Sequence, residues 1–321
     1  MILYYIVLNC HTKYDDIMGY LIGIDIGATN LRIALTDEGG EIKKAYRQKT
    51  DAGRLVEQIS EVLDGLPAFE KIGIASFGPL NYKKGMITNP PNINIKNLPI
   101  VDMLKKRYNV ECSILNDCAS SVVAEKTMGA GVGYENIAYV TLSSGIGCGV
   151  ISNGKLLLGK EGNANEVGHY MVDPQGKVRC GCGSYGHWQA YSAGKYIPSY
   201  VSYLLQNDYK NDNSKLREEE ITSESLFKLA PSDSVAMEIV ERIGRINATM
   251  FANIVNTYDP EIISIGGSVA LNNKDLVIKP IVEHTGDYVV NVMPKIVATP
   301  LGHDACLYGA IASMLHKDWM P

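Results

Sequence analysis

Residues 20–49, YLIGIDIGATNLRIALTDEGGEIKKAYRQK, limit the fold of this chain more than any other stretch. YLIGIDI is rich in isoleucine and reads as a buried strand. The turn Gly27-Ala28-Thr29-Asn30 returns the chain into LRIALT, and Gly39-Gly40 turns it again into EIKKAYRQ. Three antiparallel strands in a row are therefore expected. An amphipathic helix near 52–65 follows, then the strand KIGIAS, the loop NPPNINIKNLP, a helix near 99–108 and the strand ECSILN. After a helix at about 118–130, NIAYVTLSSGIGCGVISNGKLLLG repeats the opening pattern of strand, glycine turn, strand, Asn-Gly turn and strand. Asp233 is placed to cap a long helix, VAMEIVERIGRINATMFANIVNTY, whose apolar residues recur at three and four. Asp259-Pro260 stops it, EIISIGGSVA resumes as strand and glycine turn, and DACLYGAIASMLH closes the chain as a helix.

Such a chain is an internal duplication of βββαβα type. Two halves of this kind facing each other across a cleft form the α/β, ribonuclease H-like architecture of the sugar kinase, heat-shock-protein and actin ATPases. The expected division gives one domain 1–117 plus 304–321 and the other 118–303. The segment 205–232, with KNDNSKLREEE, reads as a solvated helical connection. MILYYIVLNC, at the start, is about half the length that spans a bilayer. Residues 1–17 read as an edge strand or an extension, with translation beginning at Met1 or Met18.

At 321 residues the chain is long enough for two packed cores. An apolar fraction of 46% and a charged fraction of 20% mark a globular protein rather than a disordered one. The net charge of −5 lacks the basic balance of a nucleic-acid binder. The seven cysteines fall at 10, 112, 118, 148, 180, 182 and 306. Five lie far apart in apolar segments, where a thiol behaves as a small hydrophobe. With no signal-peptide pattern, a reducing cytoplasm is the expected compartment.

Several motifs can carry chemistry. Asp25-x-Gly27-x-Thr29-Asn30 sits at a strand–turn–strand junction, where backbone N–H groups and the Thr29 hydroxyl converge as a terminal phosphate requires. Asp25 is placed to hold Mg²⁺ through water. The bland alternative is an ordinary hairpin, but Ser143-Ser144-Gly145-x-Gly147 occupies the matching hairpin of the second half. Gly266-Gly267-Ser268 ends another buried strand and leaves room for a base or ribose against backbone. No GxxxxGK[ST] sequence is present, which excludes a P-loop. Gly181-x-Gly183-x-x-Gly186 matches the dinucleotide fingerprint literally but follows no apolar strand, and is rejected. Asp117 ends a buried strand beside Asn116, where it can take a proton from a substrate hydroxyl or merely cap the next helix. His169, Cys180, Cys182 and His187 make a tetrahedral zinc set, structural because all four ligands come from protein.

In this order the pieces resemble the ROK family (repressors, open reading frames, kinases), and within it the glucokinase-like sugar kinases. The likeness rests on DIGATNLRIAL, FGPLNYKKGMITNPPN, NDCASSVVAE, SSGIGCGVI, NEVGHYMVDPQG, CGCGSYGH, IISIGGS and GHDACLYGAI. It implies two actin-like domains that bind a hexose and ATP with Mg²⁺. Asp117 matches the catalytic base. Gly78, Asn92, Asn116, Glu166 and His169 match the sugar-binding positions, with His169 also a zinc ligand through its other ring nitrogen. Asp25, Gly27, Thr29, Asn30, Ser144, Gly145, Gly266 and Gly267 match the nucleotide and magnesium positions. Two departures stand out. His187 replaces a family cysteine, and Gln189 replaces a glutamate that contacts the sugar near C1 and C2. Gln can donate a hydrogen bond where an ionised Glu only accepts.

The resemblance implies an ATP:hexose 6-phosphotransferase acting on glucose, N-acetylglucosamine or N-acetylmannosamine, assembled as a dimer or tetramer. Nucleic acid and membrane are not expected partners. Two other readings stay open: a sugar-responsive regulator, for which too few residues precede the first hairpin, and a non-sugar ATPase activator with an iron–sulfur cluster.

Overall fold

The computed structural model describes residues 19–90 and 93–316. The N-terminal run with Met18, and Asn92, lie outside the described residues. Of the rest, those within Met1–Val132, Gly154–Ala164 and Asp304–Pro321 form one compact unit, and those within Gly133–Asn153 and Asn165–His303 form a second.

In the first unit β1 (Tyr20–Ile26), β2 (Asn30–Thr36) and β3 (Ile42–Lys49) pair antiparallel in sequence. Helix α1 (Leu55–Leu63) leads to β4 (Phe69–Ser76), which lies parallel to β1. The short pair β5 (Leu80–Asn81) and β6 (Met86–Ile87) precedes α2 (Ile100–Tyr108) and β7 (Glu111–Asn116), the latter parallel to β4. Helix α3 (Asp117–Met128) follows without a linking loop. The strand order is β3-β2-β1-β4-β7.

The continuous apolar run of β1 has a physical cause: a central strand with both faces covered cannot alternate. Ile22, Ile24 and Ile26 join Leu55, Ile59, Leu104 and Ile114 in the core under α1 and α2. Leu21 instead packs with Leu307, Ile311 and Met314. Gly23 and Gly73 are register partners on β1 and β4. A Cβ at Gly73 would stand 2.1 Å from the Ala310 carbonyl oxygen, and one at Gly23 2.5 Å from Ile311 Cγ1. Only glycine lets a helix backbone approach a sheet this closely.

Strand β8 (Ile137–Leu142) opens the second unit and pairs antiparallel with β9 (Ile146–Ser152). The third strand expected of this copy, β10 (Lys155–Leu156), has only two residues. Leu157 is exposed, and Gly159 adopts a positive φ that turns the chain away. Next come α4 (Gln189–Ser192), α5 (Ile197–Asn207), α6 (Ser223–Leu229) and α7 (Ser234–Tyr258). Strand β11 (Ile262–Gly266) runs parallel to β8, and α8 (Ser268–Asn272) and α9 (Lys274–His284) lead to β12 (Lys295–Ala298), parallel to β11. The order β9-β8-β11-β12 repeats β2-β1-β4-β7, so the expected duplication is present. Helix α10 (Ala305–Leu315) returns to the first unit.

Asp233 caps α7 as its position implied, accepting the Ala236 N–H at 2.9 Å, and Asp259 ends the helix in the left-handed region at φ 46°. The segment 205–232 corrects its expected character. Tyr209, Leu216, Leu226, Phe227 and Leu229 are buried in the second core, so the charged residues form only its outer face.

Candidate functional site

In the first unit, the β1–β2 turn is closed by the Gly27 N–H donating to the Asn30 carbonyl at 2.9 Å, and by the Thr50 hydroxyl donating to the Gly27 carbonyl at 2.6 Å. Ala28 and Thr29 stand exposed at its tip. Asp25, 4% exposed, has both carboxylate oxygens engaged. Arg32 Nε donates to Oδ2 at 2.7 Å, and the Cys306 thiol donates to Oδ1 at 3.1 Å. Arg32 also donates to Asp304 Oδ1 at 2.6 Å. These occupied oxygens fit a magnesium held through water better than one bound directly. Burial lowers the Arg32 pKa, but the charges of Asp25 and Asp304 and the hydrogen bond to Asp25 outweigh it and hold the guanidinium above its ordinary value. Neither Arg32 nor Asp304 is signalled by the sequence, because the two lie at opposite ends of the chain.

Strand pairing of β4 with β7 sets Ser76 opposite Asn116, so the loop after β4 meets the start of α3. Asn116 caps α3, its Oδ1 accepting the Cys118 N–H at 3.0 Å. Asp117 Oδ1 accepts the same N–H at 2.8 Å. The cap of α3 is thus Asn116 rather than Asp117, which is the first residue of the helix; its bond to the adjacent N–H fixes one carboxylate oxygen while the side chain stays half-buried. A Cβ at Gly78 would lie 3.3 Å from Asn116 Nδ2 and 3.6 Å from Asn163 Oδ1. Asn163 exchanges two hydrogen bonds of 2.7 Å with the Leu80 backbone. Asn163 belongs to no motif, and its one signal is its place in the glycine-rich stretch before Glu166.

In the second unit the β8–β9 turn closes with the Ser143 N–H donating to the Gly145 carbonyl at 2.9 Å, and Ser144 is exposed. Because β8 and β11 are neighbours, this turn meets the Gly266-Gly267-Ser268 corner. The Ser143 and Ser268 hydroxyls are 3.1 Å apart. Gly267 has φ +90°, and a Cβ there would meet the Leu142 carbonyl oxygen at 2.3 Å. A side chain is excluded on both counts, so the corner packs directly against the backbone at the end of β8.

The run 166–189 folds around a metal-sized centre. His169 ends a 3₁₀ turn, Val167–His169, held by buried Val167. Trp188 is fully buried; its Nε1–H donates to Asn247 Oδ1 at 2.8 Å and its ring meets Phe251 edge-on. That anchor fixes His187 and Gln189 on either side. The ligand atoms of His169, Cys180, Cys182 and His187 all lie within 4.8 Å of one another. The two Nδ1 atoms are 3.2 Å apart, Cys182 Sγ is 3.3 Å from His187 Nδ1, and Cys180 Sγ is 4.0 Å from His169 Nδ1. Tetrahedral zinc at ordinary bond lengths sets nitrogen–nitrogen and nitrogen–sulfur separations of about 3.3 and ~3.6 Å, so the four groups fit one ion. His169 Nε2 faces the other way, 3.9 Å from Glu166 Oε2.

Burial lowers the pKa of His169, and burial together with the His169 charge lowers that of His187, favouring the neutral rings that bind metal. Burial raises the Cys180 thiol. It acts the same way on Cys182, but hydrogen bonds from the Ser184 backbone and the Cys180 side chain outweigh it and leave that thiol below its ordinary value. Glu166 keeps about half its side-chain surface in contact with solvent, and desolvation of the remainder raises its carboxyl. Gln189 turns its Nε2 toward Cys180 Sγ, at 3.1 Å. Gly181, Gly183 and Gly186 lie in this loop and follow no strand, in keeping with the rejected dinucleotide fingerprint.

Two hairpins of one pattern, each on a sheet of one strand order, define the actin-like ATPase fold of the sugar kinases. Residues 21–317 match the ROK family, and the chain belongs to it. A glucokinase of Pyrobaculum calidifontis is 36% identical over 296 residues, covering 92% of this chain and 95% of that one. The crystal structure of a ROK family glucokinase from Streptomyces griseus in complex with glucose and AMPPNP superposes with a TM-score of 0.75 at 28% identity, covering 91% of this chain and 98% of that one. The N-acetylglucosamine repressor of Escherichia coli is 29% identical over 276 residues, which are 82% of this chain and 66% of the repressor. Among the described residues no helix is long and apolar enough to cross a membrane.

Proposed function

We propose that this chain is an ATP-dependent hexose kinase that transfers the γ-phosphate to the 6-hydroxyl of glucose or of an N-acetylhexosamine. The observation that carries the reading is Asp117 at the junction of β7 and α3, one oxygen fixed by the Cys118 N–H, beside the polar side chain of Asn116 and the close-packed Gly78. Placed against the sugar 6-hydroxyl, that carboxylate accepts its proton as the oxygen attacks the γ-phosphorus and the bond from that phosphorus to the β–γ bridging oxygen breaks, releasing ADP. In a loose phosphoryl-transfer transition state this role is mainly orientation. The Thr29 hydroxyl with the N–H groups of its turn, and Ser144 with Gly145, receive the phosphates. The corner at Gly266 and Gly267 takes the base or ribose. Mg²⁺ bound with the nucleotide would supply charge neutralisation of the transferring group, and Asp25, held by Arg32, would hold it through water.

The second unit would supply Glu166 and His169 to the sugar hydroxyls. Zinc supplies rigidity to the loop that carries them. With zinc bound, the Glu166 carboxylate would accept and the His169 Nε2–H would donate at fixed positions.

The test is a coupled assay with ATP over a panel of hexoses and N-acetylhexosamines, run on the native chain and on Asp117→Asn. The amide keeps the shape but cannot take a proton. A fall in kcat of about 10²–10⁴-fold with sugar binding largely retained is expected. Full activity in the variant, or no turnover of any sugar by the native chain, would sink the assignment. Tight, salt-sensitive DNA binding in place of turnover would favour the regulator reading.

A further inference from the structure

Gln189 is the first residue of α4 and directly follows buried Trp188. Its Nε2 donates to Cys180 Sγ at 3.1 Å, and a Cβ placed on Gly145 would stand 3.7 Å from its Oε1. One side-chain amide therefore reaches from the metal loop to the β8–β9 turn. Cys180 is 2% exposed, so water cannot reach its sulfur freely to balance a thiolate. A buried anion without a donor is costly, and thiolate ligands are ordinarily steadied by N–H groups around them.

The ligand set also bears on what that donor must be. Two thiolates and two neutral imidazoles cancel the charge of a divalent ion, so a donor that joins the Cys182 backbone N–H at this sulfur should add no charge of its own. A primary amide meets that need. A carboxylate at the same place has no proton to give and sets like charge beside the sulfur.

We infer that Gln189 is a positioning residue of the metal centre: its amide N–H holds the Cys180 thiolate in place, and its carbonyl end abuts the turn at Gly145. The inference rests on the metal reading of the His169, Cys180, Cys182 and His187 cluster. It accounts for glutamine where the family pattern has an acid that contacts sugar.

The experiment uses the full chain and the variants Gln189→Glu and Gln189→Leu. Zinc content is measured on the purified proteins, then zinc release into a colorimetric chelator, then the sulfur-to-cobalt charge-transfer band after replacement by Co²⁺. The native chain should carry one equivalent of zinc. Gln189→Glu should lose its metal about 10–100-fold more readily, and its cobalt band should move to lower energy as the sulfur gains electron density. Gln189→Leu keeps the bulk, drops only the donor and should move both readouts the same way by less. It also serves if the glutamate variant does not fold. Native release rates and an unmoved band in both variants would overturn the role of Gln189 while leaving the metal site standing. A native chain without zinc would overturn the metal reading and the inference together, and the sugar panel assay would still report independently on the kinase.

Discussion

Single residues in this molecule act through what the chain brings to them from a distance. Gly73 has no chemistry of its own, yet a Cβ there would meet the Ala310 carbonyl oxygen at 2.1 Å. Backbone cannot yield as a side chain tip can, so Gly73→Ala should destabilise the first unit by about 1–3 kcal/mol, read as a lower urea midpoint. An unchanged midpoint would mean that α10 can shift outward without loss. The same dependence decides what was legible in the sequence. His169, Cys180, Cys182 and His187 sit within one short stretch, and the proposed ligand set could be assembled from spacing. The partners of Asp25 could not, because Arg32, Asp304 and Cys306 meet it only after β1 and α10 have packed. Gln189 shows the limit of motif matching: its aligned position points to sugar, while its amide lies on Cys180.

Elements were legible where pattern and cap agree. The long helix α7 shows apolar spacing, an Asp before it and Asp-Pro after it, and all three signals mean the same thing. Burial alone would raise the Asp233 carboxyl, but the N–H groups of Ala236 and Lys215 and the Ser214 hydroxyl outweigh it and hold it below its ordinary value. A carboxyl depressed in the folded state stabilises above the unfolded value of ~3.9, and that contribution fades as pH falls through the lower folded value. Asp233→Ala should therefore cost about 1–2 kcal/mol at neutral pH. The gap between the two proteins in chemical melts should narrow below roughly pH 3.9. A gap that stays constant into acid would show that the carboxylate charge contributes nothing. The segment 205–232 differs from its expected character because charged residues dominate its composition, while its buried residues fall in separate short elements, Leu216 in one turn and Leu226, Phe227 and Leu229 in the seven-residue α6, too short to establish a period.

At the scale of the whole molecule, the duplication was legible because each half opens on the same hairpin, and hairpins are local. What hairpins cannot report is which segments complete each unit. The first unit draws on residues from both ends of the chain, and the Gly23–Gly73 trench on β1 and β4 is filled only by α10. During synthesis the amino-terminal sheet therefore leaves the ribosome with an uncovered apolar furrow, and Leu21 has only Ala34 and Ile42 of its cluster beside it until Leu307, Ile311 and Met314 emerge. Nascent chains stalled before Ala305 should accordingly be cut readily within residues 19–132 and bind a hydrophobic dye. Chains extended past the ribosome tunnel should lose both properties, and equal protection in the two would show that the sheet closes unaided. A sheet made early is thus a part that must wait, and its exposure to chaperones lasts as long as translation of the residues between it and α10.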